Sequence, residues 1–173
     1  MEQDRHRCLI DGDLYALVGS DAIVGLCKIF QGRIREGIHI IEEAILRREK
    51  DGYRVAADWY RGFLAEVYLQ VIAGEERLPL RVLLRNMPIL LRTIFTASSR
   101  IQTLMTHVLD NPNFDPAGHH MGRAQMILGL LYKAKKKRAL AVQHLTEAKR
   151  IFSQFGHTPV LARVETALAG LGQ

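Results

Sequence analysis

The chain has 173 residues, 48% hydrophobic and 24% charged, which is enough for a sizeable buried core and too apolar for extended disorder. Lys and Arg number 24 against 18 Asp and Glu, a net charge of +6, while 7% aromatics with one tryptophan leave little material for a base-stacking surface. Cys8 and Cys27 form no Cys-x-x-Cys pattern, which argues against a disulfide framework or a structural metal and fits a reducing cytoplasm best.

The first thirteen residues are polar and irregular apart from Cys8, Leu9 and Ile10, without the apolar core of a signal peptide. No later segment has the length needed to cross a bilayer. Residues 14–30 read as a helix, with Leu14, Leu17, Val18, Ile23, Leu26, Cys27 and Phe30 apolar and Gly32 ending it. Residues 33–50 read as a second: Ile34, Ile38, Ile41, Ala44 and Ile45 recur by threes and fours, and Arg35, Glu42, Glu43 and Arg47 face water. Asp51 and Gly52 close it.

A third helix is expected over 59–71, then a turn at 73–76. Pro79 and Pro88 both suit a first helical turn, so a short helix over 80–84 and a restart with Asn86 near its cap are expected, followed by a longer helix to 109. The face of Leu90, Leu91, Ile94, Phe95, Ile101, Leu104, Met105, Val108 and Leu109 is too apolar for a free linker. Residues 111–115 form a loop in which Asp115 caps a helix and Pro116 occupies its first position. A helical hairpin follows, interrupted by the basic run 133–138 at its turn and stopped by Gly156. Thr158-Pro159 opens a last helix with Val160, Leu161, Val164, Ala167 and Leu168 on one side.

The hairpin over 116–156 carries small and large residues at fixed intervals: Gly129, Tyr132, Ala141, Leu145 and Ala148. Where two helices cross closely, a Gly or Ala lets the backbones approach while the larger side chains fill either side. The pattern recurs at an offset of 104 residues in Gly25, Gly37, Ile41 and Ala44, with Lys28 standing where Tyr132 would be. Ala65 and Tyr68 repeat the Gly129 and Tyr132 positions at an offset of 64.

This order of residues resembles the tetratricopeptide (TPR) repeat. The resemblance implies an all-α, TPR-like solenoid in one domain: a hairpin over 14–52, an elaborated one over 54–110, a third over 116–156, and a C-terminal capping helix over 158–171. The phrases Glu36-Gly37-Ile38 and Ile41-Glu42-Glu43-Ala44, with residues 111–125 and 133–138, are similar to the TPR-like tails of bacterial class III adenylate/guanylate cyclases. Those tails bind and regulate, and do not perform the cyclisation.

Candidate chemistry is sparse. Asp115 and His119, four residues apart beside His120, are too few for a metal site and read better as a cap with polar neighbours. His39 and His144 sit beside apolar stripes as surface or boundary residues. No Ser, His and Asp set or phosphate-cradling glycine loop can be assembled, so the chain is not expected to be an enzyme, and no metal or cofactor is expected.

Binding is the better prospect. In a TPR stack the resemblance places the concave face on the first helix of each hairpin, here at Ala22, Leu26 and Ile29, at Trp59, Gly62, Glu66 and Leu69, and at Arg123, Met126, Leu130 and Lys133. Such a groove would hold a protein or peptide, or an adjacent domain of the same chain. Equally, inserted helices or a second copy of the chain could cover it. The asparagines and lysines of the TPR carboxylate clamp are absent, so a chaperone C-terminus is a poor candidate. The expected function is a protein-interaction and regulatory module of a cyclase-type signalling protein. The alternative is a binder of nucleic acid or another acidic ligand through 133–138, although lysines at a helix C-terminus ordinarily serve the helix dipole.

Overall fold

A computed structural model describes residues 14–73, 80–156 and 158–172. The irregular start with Cys8, the turn at 74–76 and Pro79 lie outside these residues, as do the side chains of Leu14, Leu17 and Val18. Among the described residues all regular structure is helical: α1 (Leu14–Phe30), α2 (Ile34–Lys50), α3 (Arg54–Ala73), α4 (Leu80–Leu109), α5 (His119–Ala134), α6 (Arg138–Phe155) and α7 (Thr158–Ala169). None is long and apolar enough to cross a membrane. The chain divides into two compact units, Met1–Tyr60 with Glu76–Thr93, and Arg61–Glu75 with Ile94–Gln173. The division passes within α3 and α4, not between the expected hairpins.

In the first unit α1 packs against α2 at the expected glycines. A Cβ on Gly25 would stand 2.6 Å from Ile41 Cγ1 and 2.9 Å from the carbonyl oxygen of Gly37, and one on Gly37 would meet the Gly25 carbonyl and Ile29. The face of α2 at Ile34, Ile38, Ile41, Ala44 and Ile45 is buried, as its spacing predicts. Arg48 extends that face although it is charged: only 2% exposed, its guanidinium lies 5.0 Å from the centre of the Tyr53 ring. Asp21 is buried and accepts a 3.0 Å bond from Arg47.

The second unit is built on α5 and α6. A Cβ on Gly129 would lie 2.6 Å from Leu145 Cγ, and one on Gly122 would lie 2.9 Å from Ile151, an antiparallel register with backbones in near contact. α7 packs on this hairpin, and Met126, Leu145, Ala148, Phe152, Val164 and Ala167 share a core against which Leu130, Val160, Leu161 and Leu168 rest. Tyr68 and Ala65, at the expected repeat positions, are buried, and the Tyr68 hydroxyl accepts a 2.6 Å bond from Arg100. Tyr132 is half-buried, and its hydroxyl accepts from Gln102 at 3.0 Å.

The offset of 104 extends into the backbone. At the α1–α2 turn the N–H groups of Gln31, Gly32 and Arg33 donate to the carbonyls of Cys27, Ile29 and Lys28; at the α5–α6 turn those of Lys135, Lys136 and Lys137 donate to Leu131, Lys133 and Tyr132. Every donor and acceptor corresponds. The left-handed position is Gly32 (φ 75°) in one turn and Lys136 (φ 57°) in the other. The next stops, Gly52 and Gly156, are also left-handed, and α3 and α7 begin two residues after each, so the correspondence covers three helices.

Several expectations need correction. α3 starts at Arg54, not 59: Arg54 and Val55 are exposed, so no apolar stripe marks its first residues, while Ala56 and the buried Ala57 favour helix. The break before Pro88 does not occur: α4 runs unbroken from 80 to 109 with Pro88 inside it. Asn86 is no cap but a buried tie, donating from Nδ2 to the Gly32 carbonyl at 2.8 Å and satisfying the α1–α2 turn. Asp115 does not cap α5. Its Oδ1 accepts from Ala117 N–H at 2.9 Å in a preceding turn, and Gly118 occupies the cap position. On α4, Ile101, Met105 and Val108 are buried as expected, but Ile94 and Phe95 are exposed, Phe95 by 83%.

Candidate partner-binding cleft

The second unit contains an open cleft of about 470 Å³, lined by Leu69 and Gln70 of α3, Leu130, Lys133 and Ala134 of α5, and Arg163, Thr166 and Ala167 of α7. All three helices contribute residues near their C-terminal ends. Leu69 and Ala167 are buried and form the floor, Leu130 is half-buried, and Ala134, Arg163 and Thr166 are exposed. Lys133 is held in place: its ammonium donates to the Ala167 carbonyl at 3.0 Å, satisfying an acceptor in the last turn of α7.

Three of the eleven expected groove residues, Leu69, Leu130 and Lys133, are thus brought together. The others have different neighbours. Arg123 and Glu66 form a bidentate pair at 2.7 and 3.2 Å, with Arg123 also 4.5 Å from the centre of the Phe63 ring, so both charges are engaged inside the unit. Met126 is buried in the core with α7 and lines no surface, because α7 lies over the face where the groove was expected. In the first unit Ala22 is buried, Ile29 packs beside Gly37 at the helix crossing, Leu26 is half-buried, and Trp59 is 48% exposed. Gly62 is buried near the Arg123 guanidinium.

Sequence reasoning missed Arg163 and Thr166, although a signal was present. They stand 104 residues after Trp59 and Gly62, so extending the repeat one helix further would have found them.

The other candidates have structural surroundings. His120 stacks on Phe114 with centroids 4.8 Å apart, and His119 meets the edge of Phe152 at 5.5 Å. No group of three or more His, Cys, Asp or Glu suited to a metal occurs among the described residues. His144 stacks on Tyr132 at 5.3 Å, and its Nδ1 lies 2.6 Å from Gln125 Oε1, where burial pushes its pKa below the ordinary value. His39 is exposed beside Glu43. In the basic run, Lys135, Lys136, Lys137 and Arg138 are exposed, but the three turn N–H groups are spent on helix carbonyls and offer no backbone cradle to a phosphate. Compared with family models, curated proteins and solved structures, the chain finds no match.

Proposed function

We propose that the chain is a protein-interaction module of TPR-like helical hairpins, docking a partner polypeptide or a neighbouring domain in the cleft and serving as a regulatory part of a signalling protein such as a nucleotide cyclase. The cleft carries this reading. It is open, apolar at its floor, bordered by three helices, and includes three residues that the repeat pattern assigns to a concave face. The glycine crossings repeated at an offset of 104 support the hairpin architecture. The nucleic-acid alternative is weaker, since no aromatic side chain lines the cleft among the described residues.

The test places a photo-crosslinking residue at exposed Ala134 and captures partners from cells that express the protein. Leu130→Asp, which sets a charge on the apolar wall, is expected to abolish the crosslinked product. If it gives the same product in equal yield, the cleft is not the docking surface.

A further inference from the structure

We infer that the cleft selects an acidic polypeptide segment, seating an apolar side chain against Leu130 and its carboxylates against Lys133 and Arg163; this rests on the cleft being the docking surface. Charge complementarity is the ground for it. Among the described residues the lining holds two cations and no carboxylate, and Ala134 leads along the chain into the exposed basic residues 135–138. Lys133 spends one of its three N–H donors on the Ala167 carbonyl, so a long side chain that ordinarily loses entropy on binding is already ordered.

An opposing effect is present. The C-terminal turns of α5 and α7 border the cleft, each equivalent to about half a negative charge. Lys133 offsets that of α7 by direct bonding, and Arg163 with the exposed residues 135–138 sets positive charge against that of α5. A polypeptide is favoured over single-stranded nucleic acid because the described residues of the lining offer leucine and alanine surface but no ring on which a base could stack.

Fluorescence anisotropy on the full chain tests this with a labelled peptide of repeating leucines and glutamates, its twin with glutamine at every glutamate, and a labelled oligothymidylate. The glutamate peptide is expected to bind about tenfold more tightly than its twin at physiological salt. Arg163→Glu, at an exposed position of α7, should remove most of that advantage while the circular dichroism spectrum stays unchanged. Equal binding of both peptides, lost in Leu130→Asp, overturns the acidic preference and leaves the cleft as the docking surface. Binding that neither substitution alters, or no binding of either peptide, overturns the inference. Displacement of the glutamate peptide by oligothymidylate at equal strength overturns the choice of polypeptide.

Discussion

One methyl group distinguishes two kinds of buried glycine. At Gly129 it would press on Leu145, so Gly129→Ala is expected to lower unfolding free energy by about 1–2 kcal/mol, overpacking outweighing the better helix propensity of alanine. At Gly62 the nearest atom to an added Cβ is 3.6 Å away, at the end of the Arg123 side chain, so Gly62→Ala should gain about 0.5–1 kcal/mol. Urea denaturation of the two variants checks the opposite signs. Lys136 holds a left-handed conformation that costs a β-carbon-bearing residue about 1–2 kcal/mol, and Lys136→Gly should recover part of it. His144 adds a pH dependence. Its pKa is lowered in the folded state by burial, so its contribution is complete above the ordinary value of 6.5 and is lost as acidification carries the pH down through the folded value. Melting temperature should therefore fall on acidification below about pH 6.5, less steeply in His144→Gln, as scanning calorimetry would record. The glycine crossings were legible because small residues recur at a fixed spacing. The strained turn was not, because Lys136 conceals the geometry that Gly32 announces.

Among the elements, α4 departs most from its sequence. Pro88 suits a first helical turn, so the sequence predicts a restart there; inside a helix a proline removes one hydrogen bond and costs about 3 kcal/mol. Tertiary contacts override that cost: Asn86 is bonded to the Gly32 carbonyl within the first unit, and Ala97, Ile101 and Met105 are buried in the second. Pro88→Ala should accordingly raise stability by about 1–3 kcal/mol by restoring the bond. Asn86→Leu should cost about 1–2 kcal/mol by removing the buried bond to the Gly32 carbonyl. Both are readable by thermal denaturation. α7 shows the reverse adaptation. At positions where α3 buries Asp58, Arg61 and Gly62, α7 carries Ala162, Glu165 and Thr166 exposed, a surface suited to water while Val164 and Ala167 hold the core. That polarity was legible as an amphipathic stripe. Arg163 and Thr166 were not legible as cleft residues, because they stand outside that stripe at exposed positions.

For the whole molecule, the correspondence of α1–α3 with α5–α7 can be tested by grafting. Replacing Lys135, Lys136 and Lys137 with the Gln, Gly and Arg of positions 31–33 preserves every turn hydrogen bond and removes two positive charges, taking the net charge from +6 to +4. Helix content by circular dichroism should be unchanged, the melting temperature higher, and retention on a heparin column reduced. Loss of helix would mean that the two turns are not interchangeable. The common turn has a kinetic consequence. Each of its backbone bonds links groups no more than five residues apart, so closing a hairpin sacrifices little loop entropy and awaits no distant partner. During synthesis the α1–α2 turn can close once Arg33 has left the ribosome, well before the second hairpin exists. Nascent chains of increasing length should become protease-resistant in steps, the earliest near the end of α2.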